Sequence, residues 1–264
     1  MLTAAKQQTK VLFLSVKYNI MREMTNHVTF LMNIIFMVLN NATFIVQWLL
    51  LFQLKSDIGG YVLSDVLILW GLAASTFGIS HIFFSQAFKL PYLIMNGKLD
   101  SFLVQPKNVL LAVISSGTNT SAIGDLIYGY IIILIFRFSL YNLLIFTLVS
   151  ILGSIILTAF GVIVGSLSFW IIRGDILSQN LISAVINFAT YPEGIFKGVV
   201  RLTLYTVVPV GLINYLPLQI VLNFNFTSLL IIIGAAIIFV ALAFLVFYRG
   251  LRRYSSGNLM ISRI

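Results

Sequence analysis

The sequence contains no cysteine, and its 264 residues include only two histidines and seven acidic side chains. Without cysteine the chain can form no disulfide, no thiolate metal site and no cysteine nucleophile. The histidines, His27 and His81, lie far apart, and there is no HExxH pair, no GxSxG motif and no Walker A loop. We therefore expect no catalytic residue, no metal ligand and no cofactor bound by this chain.

Charged residues are also scarce, at 9% of the chain, whereas hydrophobic residues make up 60%. A water-soluble domain typically carries about 25% charged residues. The net charge of +9 comes from basic residues beside long apolar runs, a position in which they contact anionic lipid headgroups. These features predict an all-α integral membrane protein that contacts membrane lipids and has no nucleic-acid partner.

About six apolar stretches are long enough to cross a bilayer, because a transmembrane helix needs about 20 residues. A mixed basic and apolar segment precedes them, and it favours an amphipathic helix on the membrane surface over a frayed basic leader. In the fourth stretch, Gly153, Gly161 and Gly165 indicate a closely packed face. The predicted elements are a surface helix at 1–26, spans at 29–54, 62–88, 118–136, 143–172, 176–190 and 226–248, and a tail at 249–264.

The distribution of basic residues indicates how the spans are oriented. With six spans and both termini in the cytoplasm, 12 of the 16 basic residues lie on the cytoplasmic side. This split obeys the positive-inside rule. A seventh span would move the four arginines of the tail outside and divide the basic residues 8 to 8. We therefore predict six spans in the inner or plasma membrane, with both termini cytoplasmic.

The region between the fifth and last spans, residues 192–225, is apolar but interrupted. Pro209 and Pro217 would each disrupt a lipid-facing helix. Irregular backbone at membrane depth must be buried in protein or line a cavity. We predict short outer helices or a re-entrant hairpin in this region, and a seventh, kinked span ending at Leu222 is the alternative.

Two polar residues inside predicted spans are candidate interior groups. Acidic side chains within a membrane are costly and often functional, and Asp125 lies about two turns into the third span. That depth makes Asp125 a candidate for a cavity or a subunit contact. His81 in the second span is expected to be a hydrogen-bonded interior side chain rather than a ligand. Asp65 lies near the outer end of the same span, where water can reach it.

The most specific segment is the cytoplasmic stretch between the second and third spans. Here Leu99, Phe102 and Leu103 have the i, i+3, i+4 spacing of a short amphipathic helix. An exposed helix with apolar side chains suits a socket on a cytoplasmic partner, and an ordinary interfacial helix is the alternative. The candidate contact residues are Gly97, Lys98, Leu99, Asp100, Ser101, Phe102, Leu103, Gln105 and Pro106.

Three motifs, taken together, resemble those of a known family. The stretch from Gly97 to Pro106 is similar to the G-x-L-D-x-x-L-x-x-P segment of bacterial type-2 ATP-binding-cassette (ABC) exporter permeases, above all a six-span sub-family of similar length. The break after the fifth span resembles that of the family at Tyr191, Pro192, Phe196, Pro209 and Pro217. The ending Gly250-Leu251-Arg252-Arg253-Tyr254-Ser255-Ser256 resembles its G-L-x-x-Y-x-S terminus, although Gly257 follows where alanine is common.

The resemblance covers essentially the whole chain and implies a role for each segment. Residues 1–26 would be an elbow helix, residues 97–104 a coupling helix seated in a groove of an ATPase, and residues 192–225 outer re-entrant helices that cap the translocation path. Two permeases, identical or related in sequence, would join two cytoplasmic ABC ATPases that hold ATP and magnesium. ATP binding would draw the ATPases together and move the spans mechanically.

Two other classes of function remain as alternatives. A self-contained secondary transporter would use the broken region around 192–217 as a midplane substrate site. A membrane enzyme or scaffold would need no translocation path, but the absence of converging histidine, aspartate or glutamate argues against an enzyme. The resemblance therefore favours a non-catalytic permease subunit of an exporter.

Overall fold

A computed structural model of the chain describes residues 2–255, and the side chains of residues 13–255. Across these residues every regular element is a helix, apart from a single bridge between Ile58 and Tyr61. Helix is the expected state of an apolar run in a bilayer, because a helix satisfies its own backbone hydrogen bonds. The predicted all-α fold is confirmed.

Twelve α-helices follow one another with short connections in the described part of the chain. Turns of 3-10 helix extend α3 and α8, and a π-helical turn, Gly211–Tyr215, leads into α11. The helices are α1 (Leu2–Glu23), α2 (His27–Leu54), α3 (Leu63–Phe84), α4 (Leu90–Met95), α5 (Asp100–Leu103), α6 (Val109–Ile114), α7 (Ala122–Phe136), α8 (Leu140–Ser166), α9 (Gly174–Ala189), α10 (Gly198–Thr206), α11 (Leu216–Leu222) and α12 (Phe226–Leu251).

Asparagines begin three of these helices. The side-chain oxygens of Asn26, Asn108 and Asn225 each accept a hydrogen bond of 2.8–3.1 Å from a backbone amide in the first turn of α2, α6 and α12. Such caps satisfy amides that have no partner within the helix. The starts of these three helices are therefore fixed by single asparagines.

Four of the described helices are long and apolar enough to cross a membrane: α2, α3 with its extension to Met95, α8 with its extension to Phe169, and α12. The α10 helix and the Gly211–Leu222 helix pass the same test only as a pair, and they are bent by 77°. This bend confirms that the proline-containing region is broken. The chain is thus a multi-pass membrane protein with four or five candidate spans, because α7 has only 15 residues and α9 only 16.

Helix α3 lies at the centre of the bundle, since most of its apolar stretch is buried whereas α2 and α12 are largely exposed. It packs most extensively against α7 and then against α8. On α8, a β-carbon at Gly153 would lie 2.8 Å from the carbonyl oxygen of Ile213, and one at Gly161 would lie 3.0 Å from the ring of Phe88. The predicted close-packing face of α8 is therefore confirmed.

The C-terminal half of α1 packs beside the ends of α3 and α7. Val16 is buried in a small apolar cluster with Ile82 and Ala122, and the rings of Phe13 and Phe83 meet edge to face at 6.4 Å. A helix is thus present over Leu2–Glu23 and its second half is attached to the bundle, whereas its position on the membrane surface stays a prediction. The side chains of residues 1–12 lie outside the described residues.

Candidate functional site

The coupling segment, residues 97–106, connects α4 to α6 and contains the single helical turn α5. Gly97 opens it with a backbone φ of +67°, a left-handed conformation that favours glycine. Residues 96–99 form a turn, so the helix predicted over 97–104 is confined to Asp100–Leu103. The segment is therefore a tight reversal with one helical turn at its tip.

Leu99 differs from the sequence-based expectation, which made it an exposed apolar contact. Its side chain is 0% exposed and belongs to an apolar cluster that includes Leu110 and Val113 of α6. Because α5 packs on α6, the face that carries Leu99 turns toward the protein. The exposed apolar side chains of the segment are Leu103, at 40%, and Val104, at 84%.

Local hydrogen bonds hold the coupling segment in shape. The Lys98 ammonium donates to the Tyr92 hydroxyl at 2.7 Å and lies 4.4 Å from the centre of that ring. The Gln105 amide donates to the carbonyl of Ser101 at 3.0 Å. An open groove of about 550 Å³ runs beside the segment and is lined in part by Lys98, Ser101 and Phe102. The segment thus has a locally fixed shape and lies beside an open groove.

The C-terminal motif meets the coupling segment. A β-carbon on Gly250 would overlap the ring of Phe169, and Tyr254 contacts the same ring edge to face at 6.2 Å. Burial and the neighbouring side chain of Asp100 raise the pKa of the Tyr254 phenol. Two motifs that are far apart in sequence are therefore adjacent in space. Ser256 and Gly257 lie outside the described residues.

The outer segment, residues 191–222, is organised around one acidic side chain, Glu193, which is 4% exposed. Arg201 forms an ion pair with its carboxylate at 2.8 Å. The Tyr205 hydroxyl donates to the same carboxylate oxygen at 2.8 Å, and the Gln219 amide donates to the other oxygen at 3.0 Å. One carboxylate thus joins α10 and α11 to the turn after α9. Burial and Glu193 together raise the pKa of nearby Tyr61.

The five residues predicted for this region occupy two kinds of position, aromatic contacts and backbone bends. Tyr191 meets Trp48 of α2 edge to face at 5.9 Å, and Phe196 meets Phe188 of α9 at 5.3 Å. The remaining three lie at bends in the backbone: Pro192 before the 3-10 turn at Glu193–Ile195, Pro209 between α10 and the π-helical turn, and Pro217 in the first turn of α11.

Sequence reasoning missed the role of Glu193. The available signal was an isolated acidic residue in an apolar region with an arginine, Arg201, eight positions later. Two residues of opposite charge in such a region are expected to pair, because each is costly alone. The contribution of Gln219, 26 positions away, had no comparable signal.

A polar cavity of about 340 Å³ lies between α2, α3, α7 and the end of α9. At its wall the Asn41 amide donates a hydrogen bond of 2.6 Å to Asp125, and the Trp70 indole donates to the Asn41 carbonyl oxygen at 3.4 Å. The Asp125 side chain is mostly buried, at 9% exposed. This chain of contacts links α3 and α2 to the first turn of α7, so Asp125 lies nearer the end of its helix than the two turns predicted from the sequence.

His81 lines the same polar cavity, about 16 Å along α3 from Trp70 at 1.5 Å per residue. Its Nδ1 lies 3.0 Å from the carbonyl oxygen of Phe77, and its ring stacks on Phe88 with centroids 4.2 Å apart. The two interior polar residues singled out in the sequence, Asp125 and His81, are therefore brought to one cavity. The contribution of Asn41 was missed, because the partner of a single amide cannot be read from sequence.

Comparison with known proteins adds one match. The profile of a protein family described as "ABC-2 family transporter protein" matches residues 37–257, which is most of the chain. Comparisons with curated proteins and with solved structures found no match. The matched range includes the coupling segment, the outer segment and the polar cavity.

Proposed function

The chain belongs to the ABC-2 family of transporter proteins, and on that premise we propose that it is the membrane-spanning permease subunit of an ATP-driven exporter. The energy source would be a separate cytoplasmic ATPase that binds ATP and magnesium. The absence of a Walker A loop in the sequence fits this division of labour. The chain itself would be non-catalytic.

The coupling segment is the proposed contact with the ATPase. It combines exposed apolar side chains, Leu103 and Val104, with an adjacent open groove. A pair of apolar side chains on a short rigid turn is suited to fill a pocket on a partner. This segment, with the tail residue Tyr254 beside it, is the observation that carries the proposal.

The path of force would run from the coupling segment into the centre of the bundle. The coupling segment follows α4, and α4 is joined to α3 by the 3-10 turn Ser85–Ala87. Helix α3 packs on α7 and α8 along its buried faces. A closely packed bundle moves between discrete arrangements rather than deforming gradually. A shift imposed at the coupling segment would therefore move α3 and its neighbours together.

We further propose six spans, with α7 and α9 as the third and fifth. At 1.5 Å per residue each is about 22–24 Å long, somewhat less than the hydrocarbon core of about 30 Å. Tilt, local thinning of the bilayer and cover by neighbouring helices accommodate such short spans. In this arrangement α10 and α11 form a re-entrant outer pair, which keeps both termini cytoplasmic.

A second permease chain, of identical or related sequence, would pack against α2. Three amides, Asn33, Asn40 and Gln47, recur at heptad spacing along α2 and are all exposed in the single chain. Heptad-spaced residues fall on nearly one face of a helix. Exposed amides at membrane depth are unfavourable in lipid and stabilising between helices. We define these three residues as the amide stripe.

The proposed function is tested by affinity purification of the chain from its native membranes and identification of any P-loop ATPase that copurifies. We expect the ATPase to copurify in equal amount, and transport in proteoliposomes to require both proteins and ATP. A Walker A lysine variant of the ATPase is the control for nucleotide dependence. Transport by the purified chain alone, driven by an ion gradient, would contradict the proposal and favour a secondary transporter.

A further inference from the structure

The polar cavity contains an acidic side chain that lacks a basic partner. Two ion pairs occur among residues 13–255, Arg22 with Glu23 and Arg201 with Glu193, and Asp125 belongs to neither. Among the described residues that line the cavity there is no lysine and no arginine, and the Nδ1 of His81 contacts the carbonyl oxygen of Phe77 rather than Asp125. The one polar contact of Asp125 found there is the neutral amide of Asn41. A carboxylate in this position therefore has hydrogen bonding on one oxygen and the partial positive charge of the α7 N-terminus, but no full counter-charge.

Such an arrangement is costly unless something else supplies the charge. Burying an ionised group costs far more than burying a neutral polar group, and intramembrane acids usually pair or face a ligand or water-filled cavity. Asp125 faces a cavity rather than a packed helix surface. Its side chain is 9% exposed and lines a cavity of about 340 Å³. This volume is large enough for a small organic molecule, since ligand sites are typically about 300–1,000 Å³.

Most of the remaining cavity wall is aromatic or apolar, with Asn40, Asn119, Thr190 and His81 as the polar side chains. Phe44 and Trp70 lie with ring centroids 4.2 Å apart, and Phe77 lies 5.8 Å from His81 on the same wall. Aromatic faces attract a cation at distances of up to about 6 Å. A carboxylate combined with aromatic rings favours an organic ammonium group over an inorganic cation, because the rings also contact its apolar substituents. Ala73 and Ala74 provide the space for those substituents.

We propose that the polar cavity binds a small lipophilic ammonium ion, with Asp125 facing the charged nitrogen and Phe44, Trp70 and Phe77 contacting its apolar part. Asn41 is a positioning residue, because its amide donates a hydrogen bond to one carboxylate oxygen of Asp125. Binding at this site does not depend on an ATPase. That the bound cation is cargo rests on the function proposed above.

The test uses two water-soluble probes of similar size and opposite charge. Purified protein in lipid nanodiscs is titrated with benzyltrimethylammonium and, separately, with phenylmethanesulfonate, and binding is measured by calorimetry. We expect saturable binding of the cation and none of the anion. Equal binding of both probes, or binding of neither, would overturn the proposal.

Two variants locate the site. Asp125→Asn keeps the size of the side chain and its contact with Asn41 but removes the charge, so cation affinity should fall at least tenfold. The matched control is Asp65→Asn, because Asp65 is an acidic residue of a membrane helix that does not line the cavity. Unchanged affinity in Asp125→Asn, or an equal loss in the control, would contradict the assignment.

The second variant avoids the buried core. Ile186 of α9 lines the cavity but is 42% exposed, so Ile186→Trp should occlude the cavity with little effect on folding and abolish cation binding. Leu177→Trp, nine positions earlier on α9, is the matched control and should bind normally, since Leu177 is 38% exposed and does not line the cavity. The outcome is independent of the proposed permease role. Cation binding without ATPase association would contradict the permease role alone. ATPase association without cation binding would contradict the proposed cation site alone.

Discussion

The backbone of Gly194 lies directly against that of Gly59, so that a β-carbon on Gly194 would overlap the Gly59 carbonyl oxygen. Gly59 itself has a φ of +65° and lies in the loop between α2 and α3. This backbone contact places the α2–α3 loop against the turn that carries Glu193. The ends of α2, α3, α9 and α10 are thus joined at a backbone contact that leaves no room for a side chain on Gly194.

Replacing Gly194 with alanine should therefore loosen the outer segment. The overlap cannot be relieved by rotating a side chain, because its partner is backbone, so we expect a loss of at least about 1–2 kcal/mol of stability. For a chain of this size each kcal/mol corresponds to about 2–4 °C in melting temperature. Gly234→Ala on α12 is the matched control, since nothing lies within 4 Å of its added carbon. Equal melting temperatures for the two variants would disprove the close contact.

The second prediction concerns the unequal partners of the outer ion pair. Glu193 has a side chain only 5% exposed, whereas that of Arg201 is 59% exposed. Glu193→Ala removes the acceptor of three donors and should cost about 2–4 kcal/mol. Arg201→Ala leaves the buried carboxylate with its neutral donors, Tyr205 and Gln219, but without a neutralising charge, so it should cost a comparable amount of about 2–4 kcal/mol although Arg201 itself is mostly exposed. Thermal unfolding in detergent, followed by tryptophan fluorescence, measures both, and a loss below about 1 kcal/mol for Arg201→Ala would show that the neutral hydrogen bonds alone compensate the buried charge.

The fold could be predicted largely from the position of apolar runs and of the residues that interrupt them. Apolar runs of about 20 residues can only be helices in a bilayer, and α2, α3, α8 and α12 overlap predicted spans. Pro209 lies at the predicted break, between α10 and the π-helical turn that leads into α11. The count of spans was harder to predict, because α7 and α9 are short helices whose membrane role depends on what covers them.

The candidate sites were less predictable because they depend on contacts between distant residues. The Asn41–Asp125 hydrogen bond joins residues 84 positions apart, and no local pattern specifies such a pair. The exposure predicted for Leu99 was wrong for a related reason. Its spacing with Phe102 gives an apolar face, but only the position of α6 decides that this face is buried.

The third prediction separates the two faces of the coupling segment. Val104→Asp places a charge on a side chain that is 84% exposed, so the variant should fold normally and lose most ATPase association. Leu99→Asp buries a charge in a packed cluster and should reduce the yield of folded protein itself. Size-exclusion profiles measure folding, and copurification measures association. Full recovery of ATPase with the folded Val104→Asp variant would show that this surface is not the contact.

The fourth prediction concerns the amide stripe on α2. The chain has no natural cysteine, so a single Gln47→Cys substitution provides a unique site for crosslinking. If α2 faces a second permease chain, this variant should form a crosslinked species containing two permease chains in native membranes. Ile238→Cys on α12 is the control, since its side chain is 60% exposed on a helix outside the proposed contact. Crosslinking through the α12 site instead would place the interface elsewhere.

The last prediction decides between six spans and seven by the accessibility of single introduced cysteines. Lys55 precedes α3 on the outer side in both arrangements, and Lys107 in the coupling region is cytoplasmic in both. Phe224 and Arg253 differ: with six spans Phe224 is outside and Arg253 inside, whereas a seventh span at residues 195–222 exchanges them. All four side chains are exposed, so a reagent can reach each from its own side.

We expect a membrane-impermeant maleimide added to intact cells to label Lys55→Cys and Phe224→Cys but not Lys107→Cys or Arg253→Cys. All four should react after the membrane is permeabilised, which controls for burial in the folded protein. The physical reason is the charge distribution, since a cytoplasmic tail keeps its arginines on the side that retains positive charge. Labelling of Arg253→Cys in intact cells, with protection of Phe224→Cys, would mean that α10 and α11 form a complete span despite their 77° bend.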